Sequence, residues 1–230
     1  LATFVPTEDT RSQLFEMGFR NLKLMGRGVD TRLFDPAHRD RALRASWGAE
    51  DGDPVAIYVG RVASEKNMPL FFRTVASLRE IEPRMKAVVV GDGPERRALQ
   101  DAHPDVVFAG MQKGEALGRH YASADVFLFP STTETFGNVV TEALASGLVI
   151  VAFDYAAPRQ YIRSDINGFL APMRDEDCFV AKARLAVAIS RYPTMKLAAR
   201  ETAMKISWDV VMDRFEQDLM EVLEHGPKEI

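Results

Sequence analysis

The sequence is short of several things, and each shortage excludes something. It has one cysteine, Cys178. An internal disulfide is therefore impossible, and a reducing compartment fits. It has no run of about 18 apolar residues, so no segment reads as a membrane-spanning helix. Residues 1–20 lack an apolar core and carry Glu8, Asp9, Arg11 and Glu16, so they do not read as a signal peptide. Basic residues are not in excess: 29 Lys and Arg face 33 Asp and Glu, a net charge of -4. That balance argues against a dedicated nucleic-acid binder while leaving room for a local anion pocket. The four histidines, His38, His103, His120 and His225, are scattered without metal-ligand spacing. No repeat or low-complexity segment is present.

What is there is an ordinary globular balance, 47% hydrophobic and 27% charged over 230 residues. At roughly 150 residues per domain this is about one and a half domains. The opening LATFV is apolar with no element before it and reads as a chain that starts mid-protein.

Short apolar, β-branched runs alternate with helical patterns. The runs are Val55–Val59, Ala87–Val90, Val106–Ala109, Val126–Phe129, Leu148–Phe153 and, after Asn167-Gly168, the short Phe169–Ala171. They are continuously apolar, as strands buried on both faces of a parallel sheet must be. Between them Met68, Phe71, Phe72, Val75 and Leu78 mark one helical face, and Val139, Val140, Ala143 and Leu144 another. Glu95–Gln100 and Gly114–Tyr121 are shorter helices. After residue 174 the pattern is helical only: Asp175–Arg191, broken by Pro193, then a stripe from Trp208 to Leu223. Residues 1–53 predict a strand at Thr3–Val5, a helix near Thr7–Met17, a strand at Leu22–Met25 and a solvated helix face at Arg39–Arg44. The fold class expected is α/β, a doubly wound, mostly parallel, Rossmann-like sheet. Ligands in such sheets sit at the carboxyl ends of the strands. The loops of interest are therefore 60–67, 91–94, 110–114, 130–138 and 154–160.

The first loop places Gly60, Arg61 and Lys66 after a strand. The two cations suit one anion, Arg as a fork and Lys as a compact charge. They also suit two solvated loop cations, with Glu65 pairing either. The second loop, Gly91-Asp92-Gly93-Pro94, fails the dinucleotide pattern because Arg96 stands where a third glycine belongs. It is either a tight turn or a ligand contact. The fourth loop runs from Ser131 into a helix near Gly137. A helix start there aims free N–H groups and a positive dipole end at a phosphate. Asn138 and Glu142 share a helix face. A carboxylate at Glu142 would repel phosphate but could accept hydrogen bonds from a vicinal diol such as ribose. The bland reading pairs Glu142 with a neighbouring cation and leaves Glu134 in solvent. Asp51-Gly52-Asp53 is an Asp-x-Asp sequence, but it precedes a strand and falls at the amino edge, so it reads as a turn.

Glu134 and Glu142 stand inside E-x-F-G-x-x-x-x-E-A-x-A-S-G. With Gly60-Arg61 and Glu65-Lys66, Gly91-Asp92-Gly93-Pro94, Gly28-Val29-Asp30-Thr31 with Phe34 and Pro36, Phe108-Ala109-Gly110, and Asn167-Gly168-Phe169-Leu170, this resembles the donor-binding, C-terminal half of retaining GT-B glycosyltransferases of the large fourth family. The resemblance covers nearly the whole chain. It implies a nucleoside-diphosphate sugar, UDP- or GDP-linked, as substrate, with no cofactor and no metal. Arg61 and Lys66 would hold the diphosphate and, with Glu134, serve catalysis. Glu142 would bind ribose. Glu134, Phe136, Gly137, Asn138 and Val139 would hold sugar and distal phosphate. Gly60, Gly91 and Met111 would complete the nucleotide site, with the base at Gly110-Met111. The acceptor would be a glycan or a lipid-linked molecule, at the cytoplasm or the inner membrane face. One departure is Asp154-Tyr155-Ala156-Ala157, where the family often has a double glycine, with Gln160 in place of glutamate.

The resemblance also implies a missing N-terminal domain. The expected division is junction elements at 1–24, a Rossmann-like donor domain at 25–205, and a helix at 206–230 that packs toward that missing domain. Alone, the chain is expected to bind nucleotide with little transfer. The alternatives are a non-catalytic nucleotide-sensing module and an NAD-dependent oxidoreductase domain.

Overall fold

The computed structural model describes residues 2–133 and 137–225, so Glu134, Thr135 and Phe136 lie outside the described residues. The chain divides into two compact units, Thr31–Met204 and the segments up to Asp30 and from Lys205 onward.

The larger unit is built on six strands: β3 (Val55–Val59), β4 (Lys86–Val90), β5 (Val107–Gly110), β6 (Val126–Phe129), β7 (Val149–Phe153) and β8 (Phe169–Ala171). All pair in parallel in the order β5-β4-β3-β6-β7-β8. The expected doubly wound sheet is the observed one. Strand order reverses between β3 and β6, where Ala56 lies opposite Val126. A doubly wound sheet binds ligands outside the carboxyl ends at such a point. Every residue of β3, β6 and β7 is buried, which is why their sequences are continuously apolar rather than alternating.

Helices cover both faces. α3 (Met68–Ile81) starts after the left-handed Asn67, with Pro69 in its first turn, and buries Phe71, Val75 and Leu78. It packs with α8 (Glu176–Ile189), whose Phe179 lies 5.2 Å from Phe153. α5 (Gly114–Ala122), α6 (Asn138–Ala145) and α9 (Pro193–Met204) include a close α6–α9 pair, and Phe127 of β6 touches Tyr121 of α5. α4 (Arg96–Ala102) and α7 (Ala156–Tyr161) are short. Pro193 does more than end a helix: it opens α9, where its fixed φ and missing N–H cost nothing.

The amino edge of this sheet corrects one expectation. Arg39–Arg44 was expected to be a solvated helix face. Instead, Arg44 of α2 (Arg41–Ser46) turns inward, and the exposed Arg39 just before it reaches the same buried carboxylate, Asp125. Arg44 is buried and donates to Ser123 O at 2.7 Å, Asp53 O at 2.5 Å and Asp125 Oδ2 at 3.2 Å. Arg39 reaches Asp125 Oδ1 at 3.0 Å, and Lys196 reaches the same oxygen at 3.2 Å. Asp125 is buried and also accepts from Val55 N at 3.0 Å. A buried carboxylate must be paired, and its partners come from three remote segments. Asp51-Gly52-Asp53 is the expected turn, with Asp53 Oδ2 accepting from Glu50 N.

In the smaller unit, β1 (Thr3–Val5) pairs in parallel with β2 (Leu22–Leu24) across α1 (Glu8–Glu16), which Thr7 caps by accepting from Thr10 N. α10 (Trp208–His225) places Phe215 4.8 Å from Phe4, edge to face, and Asp218 3.2 Å from Lys23. Among the described residues no helix is long and apolar enough to cross a membrane.

Candidate functional site

The carboxyl ends of β3, β4 and β5 are sewn together by backbone. Gly60 N donates to Val90 O at 3.0 Å, Val62 N to Asp92 O at 2.9 Å, and Gly91 N to Gly110 O at 2.8 Å. The chains lie too close for side chains. A Cβ on Gly91, whose φ is +141°, would stand 1.8 Å from Gly60 O, and one on Gly93 would stand 2.2 Å from Val62 O. Glycine here meets a need for close approach as well as a positive φ. Gly91-Asp92-Gly93 is thus a turn and a cleft lining at once.

Above this floor lies a cleft of about 540 Å³. It brings together four of the expected site residues, Gly60, Arg61, Gly91 and Met111. It adds Gln112 and Leu117, which sequence reasoning missed. A polar residue after the Gly110-Met111 loop was the available signal. Gln112 Nε2 donates to Ala109 O at 2.7 Å, and Met111 is exposed at the rim.

The two loop cations are differently engaged. Arg61 is exposed and pairs with Glu65 at 3.3 Å, four positions on. An exposed pair of this kind contributes little and is readily exchanged. Lys66 Nζ donates to Thr133 O at 2.9 Å, an oxygen that also accepts from Ser131 Oγ at 2.6 Å. The loops after β3 and β6 are therefore tied together across the reversal point. Tyr58, buried in β3, donates from Oη to Arg61 O at 2.8 Å and so fixes the backbone beneath that arginine.

On the β6 side, α6 opens at the left-handed Gly137. Its amino end meets the carboxyl edge, where first-turn N–H groups lack intrahelical partners and favour an anion. Asn138 is exposed, and Val139 and Glu142 are partly buried. Glu142 does not pair with a cation in the way the bland reading supposed: its Oε2 accepts from Tyr121 Oη at 2.9 Å. Burial pushes the Glu142 carboxyl above the usual range, and the tyrosine hydrogen bond opposes that shift. Burial, with the Glu142 charge beside it, pushes the Tyr121 hydroxyl well up, so it stays a donor. Glu134 and Phe136 lie outside the described residues.

Residues 53–188 match the family described as Glycosyl transferases group 1. A GDP-mannose-dependent alpha-mannosyltransferase of Mycobacterium tuberculosis is 38% identical over 213 residues, covering 92% of this chain and 54% of its own length. One of Corynebacterium glutamicum is 33% identical over 224 residues, covering 96% and 52%. The chain thus spans about half the length of the curated relatives it matches. Among solved structures, sucrose-phosphate synthase from Thermosynechococcus elongatus superposes with a TM-score of 0.79 at 22% identity, over 97% of this chain and 58% of its own. HepE from Anabaena, in complex with UDP-glucose, gives 0.75 at 19%, over 97% and 64%. These last two show the shared fold.

Proposed function

The chain belongs to the glycosyl transferases group 1 family, and from that premise we propose that it is the donor-binding part of a retaining glycosyltransferase that uses a GDP-linked sugar. The carrying observation is the cleft over the carboxyl ends beside the strand reversal, which gathers Gly60, Arg61, Gly91 and Met111. The choice of GDP-mannose as first donor to test comes from the two mannosyltransferase relatives.

In this reading the base lies against Met111, Gln112 and Leu117. The ribose diol meets Glu142. Arg61, released from Glu65, and Lys66 hold the diphosphate, and the α6 start at Gly137, Asn138 and Val139 holds its distal phosphate. Glu134 and Phe136 complete the sugar end. When the bond from the sugar to the diphosphate breaks, its electron pair stays on the phosphate oxygen. Once Arg61 has left Glu65, the cations and the helix end stabilise that charge, which lowers the barrier. The acceptor hydroxyl, on a glycan or lipid-linked molecule, bonds to the same face of the sugar and gives its proton to the departing phosphate oxygen. Its contacts come from an N-terminal domain of the whole enzyme, which works in the cytoplasm or at the inner membrane face. The smaller unit fits a surface that such a domain completes. Its sheet has two strands of three residues, fewer than a sheet needs for stability by itself, and Phe15, Met17 and Phe19 are exposed.

Calorimetry of this chain against GDP, UDP and ADP tests the reading. GDP is expected to bind well ahead of the others. Binding of none would overturn the site assignment, and preference for UDP would overturn the donor class. Sugar transfer from GDP-mannose by this chain alone would overturn the need for a second domain.

A further inference from the structure

Tyr121 is completely buried, and its hydroxyl ends on the Glu142 carboxylate. Its ring is held edge-on by Phe34, 5.6 Å away, and tilted against Phe127, 5.9 Å away. The hydroxyl donates to Glu142 Oε2 at 2.9 Å, with Val139 O a longer 3.4 Å away. A phenol so packed is a donor with almost no freedom, whereas a glutamate has three torsions to fix. A carboxylate has about four acceptor positions. Spending one on Tyr121 leaves enough for two hydroxyls.

We propose that Tyr121 is a positioning residue for nucleotide recognition: by donating to Oε2 it fixes the Glu142 carboxylate and leaves the other oxygen to receive the ribose diol. This rests on the reading of Glu142 as the ribose ligand. The same bond governs the charge of the group. An ionised carboxylate accepts from both hydroxyls with its full acceptor capacity, which protonation of one oxygen reduces, and burial opposes that ionisation. Among the described residues, Tyr121 is the ionisable neighbour that counters it. Other groups on the helices packed against α6 are engaged elsewhere. On α9, Arg200 pairs with Asp35 and Lys196 with Asp125, and Glu201 is exposed. On α7, Arg159 pairs with Asp154, and Tyr161 is shifted by burial alone. Tyr58 acts on Tyr121 rather than on Glu142.

The test has two arms. Carboxyl-carbon NMR of the nucleotide-free chain follows the titration of Glu142. In Tyr121→Phe its midpoint is expected to rise by about one pH unit. Fluorotyrosine placed at 121 keeps the hydroxyl, donates more strongly and should move the midpoint down, which guards against a Phe variant that folds poorly. Calorimetry with GDP is expected to show about tenfold weaker binding by Tyr121→Phe at neutral pH. Its acid limb should lie at higher pH than in the wild type. In Glu142→Gln that limb should vanish, and adding Tyr121→Phe should change nothing more. A wild type that binds GDP beside a Tyr121→Phe with the same affinity and acid limb overturns this inference alone. A wild type that does not bind GDP overturns the ribose reading, and the positioning role falls with it even if the NMR midpoint moves.

Discussion

The two edges of the six-stranded sheet solve opposite problems with similar residues. At the amino edge, the buried Asp125 carboxylate is paired within the protein by Arg39, Arg44 and Lys196. At the carboxyl edge, Arg61 is exposed and pairs with the neighbouring Glu65, and the floor is bare backbone. One edge is closed by its own partners, and the other leaves an open cleft, which in the proposed function a ligand completes. Charge in a fold is thus no guide to function until its partners are known.

The largest effect that would sharpen this contrast is at Asp125. Asp125→Ala leaves Arg44 buried and unpaired, and is expected to cost about 3–5 kcal/mol in chemical denaturation. GDP affinity of the remaining folded protein should be unchanged, and a loss of affinity as large as that of a cleft variant would erase the distinction. Asp125 also predicts a pH dependence. Burial is the strongest influence on it and resists ionisation, but Lys196, Arg39, Arg44 and Val55 N–H together hold its carboxyl below the usual range. Because the folded value lies below the unfolded one, its stabilisation is present at neutral pH. It is lost as pH falls below about 4 toward the folded value. Asp125→Asn should remove that part of the acid loss from a denaturation series.

Next is Gly91→Ala, whose new methyl would meet Gly60 O at 1.8 Å. It is expected to cost at least about 2 kcal/mol and to abolish GDP binding, read by melting and calorimetry together. Arg61→Ala should separate the two properties. GDP affinity should fall about ten- to a hundredfold, with denaturation unmoved within about 0.5 kcal/mol. The smallest effect is at Ala156, which holds φ at 49°. Ala156→Gly relieves the left-handed strain but frees the unfolded chain. A net gain below about 1 kcal/mol is expected in denaturation.

The strands were legible in sequence because burial on both faces leaves no choice of residue type. Val55–Val59 and Val126–Phe129 fall where their apolar runs lie. Arg61 and Gly91 were legible because loop position after a strand end is itself geometry. Arg44 was not. A buried arginine and a solvated one look alike until Asp125, 81 positions away, is brought beside it. Tyr121 was hidden for a related reason: in a helical pattern it reads as one more core aromatic, and only the fold shows where its hydroxyl ends. Gln112 and Leu117 follow the Gly110-Met111 loop and enter the cleft through the turn of the chain, which periodicity does not encode.

The glycine floor has a consequence for how this site could be re-purposed. A surface made of peptide groups offers selection almost nothing to vary, since any added atom collides with Gly60 O or Val62 O. Val59 and Val90 belong to the sheet, and Arg61 carries charge. Variety is left to Asp92 and to Met111, Gln112 and Leu117 in the stretch that follows β5. A lineage, or a library, seeking a different ligand would have to write the change at those four positions, on a page that is otherwise fixed.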